Sequence, residues 1–153
     1  MVGVEKLYAS LRCPFGKRQI LEAERKVKFG VTVWWLVCPR LKKAASYLEA
    51  ASFLKKIEGD LKGNGLWYEV QYEDFLYARQ RHLLFAGRLP AYGDNWLYGG
   101  VGGRTGGVKC LHAELAFFLA TGNSVIISLE TVADSISEAF EKFKNVCQRC
   151  EIH

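Results

Sequence analysis

The fold is decided by residues 29–58, which read FGVTVWWLVCPRLKKAASYLEAASFLKKIE. The first ten residues are mostly β-branched or aromatic, and they predict a buried strand. Proline suits the first position of a helix, where its missing amide hydrogen leaves no hydrogen bond unmade. Pro39 therefore predicts a helix over 39–58 with Cys38 as its N-cap, and apolar residues recur there at helical spacing.

The sequence on both sides of this stretch predicts the remaining elements. Upstream, residues 4–12 are strand-like, and residues 18–27 fit either a second strand or a short helix, so a small antiparallel sheet is expected. Further helices are predicted over 66–85, 108–121 and 130–147. The expected fold class is α+β, with a small N-terminal antiparallel sheet followed by about four helices. We expect a single domain over 1–153, in which 127–153 is a C-terminal helical extension.

Composition and charge exclude several classes of protein. The chain has 153 residues, 50% of them hydrophobic and only 3 of them proline, which is typical of one globular domain. It lacks the apolar run of roughly 18 residues that a membrane span needs, and its N-terminus does not resemble a signal peptide. A net charge of +5 permits an anionic partner, but it is too small to indicate nucleic acid. An odd number of cysteines, 5, predicts free thiols in a reducing, cytoplasmic setting.

Three cysteines fall at the ends of predicted elements. Cys13 and Cys38 both precede proline at the ends of predicted strands, whereas Cys110 lies near the start of the helix over 108–121. A thiol at a helix N-terminus is favoured as the thiolate, which is the form that binds metals. With His112 as a fourth ligand, these residues predict a site for zinc or for an iron–sulfur cluster.

Helix geometry restricts how Cys110 and His112 can act together. Residues two apart on a helix point about 200° apart, so both can bind one ion only if Cys110 lies at or before the N-cap. His112 also shares a helix face with Leu115 and Leu119. A hydrogen-bonded histidine of the core therefore remains an open alternative.

A local C-x-x-C motif is formed by Cys147 and Cys150, and His153 follows it. Such spacing fits a metal pair or a redox dithiol. The motif ends a helix instead of opening one, and it lacks a second ligand pair nearby, so we interpret it as incidental.

A glycine-rich segment at 99–107 reads GGVGGRTGG and is followed directly by a helix. Glycines allow the backbone to approach an anion, and a helix N-terminus presents free amides to it. The segment lacks the Gly-Lys-[Ser/Thr] of a P-loop, so a turn-rich loop without a ligand is the alternative. The predicted ligands of a phosphate-containing or other anionic small molecule are Gly102, Gly103, Arg104, Gly106, Gly107 and Lys109.

Three blocks of this sequence resemble a bacterial family, number 501 in the domain-of-unknown-function series. The blocks are CPFG at 13–16, LVCPRL at 36–41, and GVGG at 100–103 followed by VKCLHA at 108–113. The resemblance spans about residues 8–125 and includes the three cysteines and His112. It implies a cytoplasmic bacterial protein without an assigned activity.

Three hypotheses about function follow from these patterns. The first is a metal- or cluster-binding protein that uses Cys13, Cys38, Cys110 and His112. The second is a non-catalytic interaction module whose cysteines are part of the core. The third is an enzyme acting on a phosphorylated or anionic small molecule, with Cys110 as nucleophile and His112 as base. The oligomeric state is left open.

Overall fold

The two strands of the sheet are short. A computed structural model describes residues 3–23, 32–94, 96, 99–104 and 108–150. In it, β1 (Ile20–Glu22) pairs antiparallel with β2 (Trp34–Leu36), and Ile20 lies opposite Leu36. Part of the predicted strand over 29–38, residues 29–31, lies outside the described residues, as do residues 24–27 of the ambiguous segment.

Most of the described chain is helical. A two-stranded sheet with helices around it confirms the predicted α+β class. The α-helices are α1 (Val4–Ser10), α2 (Pro39–Ala50), α3 (Phe53–Gly63), α4 (Trp67–Ala86), α5 (Leu111–Thr121), α6 (Val125–Ser128) and α7 (Glu130–Lys142). Tighter 3₁₀ turns are formed by Val101–Gly103 and Lys144–Arg149.

Two predicted elements have a different form in the structure. The strand predicted over 4–12 is wrong, because this segment contains α1, with Leu7 and Leu11 buried four residues apart at helical spacing. The helix predicted over 39–58 is interrupted at Ser52, whose φ of 60° is left-handed, and it then continues past Gly59 as α3. The break divides one predicted helix into two.

The predicted helix ends agree better with the structure. Cys38 is the N-cap of α2, and Cys110 is the N-cap of α5, so the helix predicted from 108 begins three residues later. Gly87 and Gly122 follow α4 and α5 in the left-handed conformation, as expected for residues that end helices. The helix predicted over 130–147 consists of α7 and the following 3₁₀ turn.

The core lies between α2, α5 and α7, with α1 and the sheet packed beside them. Fully buried side chains from these elements include Leu11, Leu41, Leu115 and Ile136. None of the helices among the described residues has the length and apolar character needed to cross a membrane. The packing of α2 against α5 determines the geometry of the site described next.

Candidate metal centre

Two helices bring three potential metal ligands together. Glu49 lies in the last turn of α2, whereas Cys110 and His112 lie at the start of α5. One ligand atom from each of the three lies within 4.8 Å of the other two. Within the described part of the chain, no other group of three or more histidine, cysteine or acidic residues has its ligand atoms this close together.

The N-cap position of Cys110 makes this convergence possible. Its φ of −150° and ψ of 118° are extended, so its side chain does not follow the helical rotation that would separate it from His112. Gly102 lies beside it, with a φ of 66°, and a Cβ there would lie 3.3 Å from the Cys110 Cβ. A glycine at position 102 thus allows the turn to pack closely against Cys110.

Glu49 orients the imidazole of His112. Its Oε1 lies 3.1 Å from His112 Nδ1 and also accepts a hydrogen bond of 2.7 Å from the Leu111 amide. The other ring nitrogen, Nε2, lies 3.1 Å from the Ser46 hydroxyl, one turn earlier on α2. The ring is therefore held from both sides by α2.

The pKa of His112 is raised above its ordinary value. The main cause is a hydrogen bond with the Cys110 side chain, to which the hydrogen bond and negative charge of Glu49 add. Partial burial of the ring opposes this shift. The three side chains thus interact electrostatically as well as lying close together.

Cys13 and Cys38 are not members of this group. Cys38, at the N-terminal end of α2, lies near two other thiols. Those of Cys147 and Cys13 both affect its pKa. Burial raises the pKa of Cys38, although amides at the start of α2 oppose the shift. Cys147 also accepts a hydrogen bond of 3.6 Å from Arg40 Nη1, so the C-terminal turn packs against the start of α2. The four sequence-predicted ligands thus lie in two neighbourhoods, and all five cysteines are free thiols.

The glycine turn at 99–104 packs around an acidic side chain of the protein itself. Asp74 of α4 accepts a hydrogen bond of 3.2 Å from the Val101 amide. A Cβ added at Gly100 would lie only 2.0 Å from the Asp74 carboxylate, so this position needs glycine. The described part of the loop thus encloses a carboxylate of the protein, whereas the sequence pattern predicted an external anion there.

Arg104 is also occupied within the protein. Its guanidinium is fully buried, with Nε 2.6 Å from Asp74 Oδ1 and Nη1 bonded to Glu114 of α5. It is thus not exposed to a free anion in this conformation. Of the other predicted anion ligands, Gly106 and Gly107 lie outside the described residues, whereas Lys109 is exposed. A Cβ added at Gly103 would lie 3.8 Å from the Lys109 ammonium, so that cation lies over the turn.

Sequence reasoning missed Glu49. It lies 63 residues before His112, and no local spacing relates the two. The available signal was an acidic residue in an otherwise basic and alanine-rich helix. Only the packing of α2 on α5 gives this residue its place in the site.

These features define a small α+β protein with a mixed Cys/His/Glu group at a helix N-terminus. The family described as "Protein of unknown function (DUF501)" matches residues 9–129 of the chain. The chain belongs to this family, as the resemblance of its motifs implied. Neither the curated proteins nor the solved structures contain a significant match.

Proposed function

We propose that this protein binds a single zinc ion through Glu49, Cys110 and His112. The observation that carries the proposal is the convergence of their ligand atoms to within 4.8 Å. Zinc bonds of about 2.0–2.3 Å in a tetrahedral site place ligand atoms about 3.5 Å apart. Small side-chain rotations would therefore suffice to close the group around an ion.

The donor set favours a single ion over an iron–sulfur cluster. A thiolate, an imidazole nitrogen and a carboxylate oxygen are all common zinc ligands, whereas clusters are held mainly by several cysteines. The group contains one sulfur, since Cys13 and Cys38 are not members of it. The identity of the ligands therefore supports zinc.

Three protein ligands would leave a fourth position for water or for an anionic ligand. This arrangement is typical of catalytic zinc sites, whereas structural sites have four protein ligands. The side chains of His112 and Glu49 are 28% and 26% exposed, so small molecules can reach them. The exposed Lys109 follows the glycine turn directly before Cys110, and it supports the binding of an anion at the open position.

The test is the metal content of protein purified without chelator under reducing conditions. We expect about one zinc per chain in the natural protein. Cys110→Ser and His112→Ala should each weaken zinc binding by more than about tenfold, because even the loss of an outer hydrogen-bond partner can have this effect.

Cys13→Ser is the matched control, because it also removes a half-buried thiol. It should retain zinc if Glu49 completes the site. An equal loss of zinc in this variant would instead support the four-residue site predicted from sequence. Iron with acid-labile sulfide would contradict the single-ion proposal.

A second candidate function is supported by the orientation of the same groups. His112 interacts with the Cys110 thiol and with the Glu49 carboxylate, which are the residue types of a nucleophile, a base and an orienting group. In this alternative, the Cys110 sulfur forms a bond to an electrophilic carbon or phosphorus atom of an anionic small molecule as the bond to a leaving group breaks. His112 accepts the thiol proton and passes it to the leaving group, and Lys109 binds the negative charge of the substrate.

Alkylation kinetics distinguish the two candidates. After treatment with chelator, an activated Cys110 should react with iodoacetamide faster than Cys13 in the same molecule, and His112→Ala should slow it. If chelation does not change the rate and Cys110 reacts like Cys13, the nucleophile hypothesis fails.

A further inference from the structure

An open groove beside α4 has features that the candidate metal centre does not explain. Its volume is about 540 Å³. Its lining combines aromatic, acidic and apolar side chains, namely Tyr68, Glu69, Tyr72, Glu73, Leu76, Asn123 and Val125. The groove lies between the first half of α4 and the start of α6.

The tyrosines of the groove are exposed to solvent. Tyr68 is 83% exposed and Tyr72 is 62% exposed. Tyr72 stacks on Phe75 with ring centroids 6.4 Å apart, and Phe75 meets Trp96 edge-on at 5.2 Å. Tyr68, Tyr72 and Phe75 are spaced four and then three residues apart, so their rings lie on one face of α4.

This face is distinct from the one that packs on the protein core. The buried residues of α4 include Val70, Tyr77 and Ala78. The helix is therefore apolar on two faces, and the described residues leave one of them open. Contiguous exposed aromatic side chains on a folded domain are typical of an interaction site.

The charge of the groove is negative, although the chain as a whole carries +5. Glu69 is exposed, whereas Glu73 is 7% exposed and accepts 3.0 Å hydrogen bonds from the Val125 amide on both carboxylate oxygens. No lysine or arginine is among the residues that line the groove. The groove therefore favours a cation over a phosphate.

The buried charges behind the groove reinforce this preference. Glu73, Asp74 and Glu114 are all close to the guanidinium of Arg104. Among the described residues, Arg104 Nη2 has no hydrogen-bond partner. A cation in the groove would interact favourably with these carboxylates.

We propose that this groove binds a basic segment of a partner protein, with an arginine side chain lying on the rings of Tyr68 and Tyr72 and its charge near Glu69 and Glu73. Guanidinium groups stack on aromatic faces and form paired hydrogen bonds with carboxylates. The acidic lining disfavours stacking of nucleic acid bases, because it would repel their phosphates. The site is separate from the Cys110 centre, and the proposal does not depend on zinc.

The test uses a capped Leu-Arg-Leu peptide and its citrulline analogue, which has the same shape without the charge. Binding is followed by NMR through the amides of Leu76, Asn123 and Val125. We expect saturable shifts with the arginine peptide and at least about tenfold weaker binding of the citrulline peptide. Absence of saturable shifts, or equal binding of both peptides, overturns the proposal.

Variants separate the aromatic and the charged contributions. Glu69→Gln and Tyr72→Ala alter exposed side chains, so both should fold, and each should weaken binding by several-fold. Tyr92→Ala is the matched control, because Tyr92 is fully exposed and does not line the groove. The proposal is overturned if Tyr72→Ala binds the arginine peptide as tightly as the natural protein does. It is also overturned if the natural protein is a dimer that Tyr72→Ala dissociates and Tyr92→Ala does not.

Discussion

The Glu49 carboxylate holds two neighbouring groups of α5 at once, the Leu111 amide and the His112 ring. The first contact satisfies an amide at the helix start that would otherwise have no partner within the helix. The second fixes the orientation of the imidazole and stabilises its protonated form. A change at Glu49 therefore has two separable effects.

We expect Glu49→Gln to lower the pKa of His112 in metal-free protein, because the variant keeps a hydrogen-bond acceptor but loses the negative charge. Glu49→Ala should lower this pKa as well, and it should also destabilise the fold by about 1 kcal/mol, the usual cost of losing a helix cap. NMR titration of the His112 ring measures the first effect, and urea unfolding measures the second. A His112 pKa that is the same in all three proteins would show that Glu49 does not act on the ring.

Gly100 is a position where one added methyl group has a large effect. Gly100→Ala would place a carbon 2.0 Å from the Asp74 carboxylate, so Asp74 must move away from Arg104. We expect a loss of about 2 kcal/mol or more, since the displaced partner leaves a buried charge poorly compensated. Thermal unfolding measures it, and Gly63→Ala, where a Cβ meets nothing within 4 Å, should not destabilise the protein.

At the residue scale, sequence reasoning named the two members of the Glu49, Cys110 and His112 group that are neighbours along the chain and missed the distant one. Cys110 and His112 were identified because the start of a helix is readable from the sequence. Glu49 contributes through the packing of α2 on α5, and no local pattern encodes that contact. The same reasoning assigned Arg104 to an external anion because no local sequence pattern relates it to its buried partners, Asp74 and Glu114.

At the element scale, α3 contains a glycine in its interior. Gly59 is exposed, helical, and has open space where a Cβ would lie. Gly59→Ala should therefore stabilise the protein by about 0.5–1 kcal/mol, because alanine loses less backbone entropy in a helix. Urea unfolding checks this expectation, and a loss of stability would contradict it.

Element ends were more predictable from sequence than element types. Pro39, Gly87 and Gly122 mark boundaries through their backbone conformations, and the structure has boundaries at these positions. The segment 4–12 was misassigned because the apolar residues of so short a run fit both the strand and the helix period. The break at Ser52 was missed because serine has no strong preference for the left-handed conformation found there.

At the scale of the whole molecule, Arg104 links four parts of the chain. It bonds Asp74 of α4 and Glu114 of α5 from its place after the glycine turn, and Glu114 in turn accepts a 3.4 Å hydrogen bond from Ser124 at the start of α6. Burial raises the pKa of both Glu73 and Asp74 above their ordinary values. The folded state therefore binds protons more readily at these groups than the unfolded chain.

This difference determines the sign of one pH effect. A raised folded-state pKa of a carboxyl group contributes stability that is complete below the unfolded pKa and is lost as the pH rises through the folded one. We expect the melting temperature to rise as the pH falls from neutral towards 4.5, the ordinary pKa of glutamate. Glu73→Gln should flatten this dependence, and an unchanged slope in this variant would exclude Glu73 as its source.

The fold class was predictable because the helices are long and their ends are marked, whereas the grouping of the cysteines was not. Four ligands at element ends were expected to meet, but Cys38 lies near Cys13 and Cys147, and Cys110 and His112 lie near Glu49. Which element ends meet depends on how helices pack, and that information is distributed over the whole core.

The break at Ser52 affects how the acidic side chains of α2 and α3 align with the segment 108–111. Glu49 and Glu58 are nine residues apart, and on a continuous helix they would project in opposite directions with an axial separation of about 13.5 Å. Their targets, the amides of Leu111 and Val108, are only three residues apart, at most about 11 Å even in a fully extended chain. The left-handed residue breaks the helix between the two glutamates, so they need not project in opposite directions. Both carboxylates can then accept hydrogen bonds from the segment 108–111, which contains Cys110.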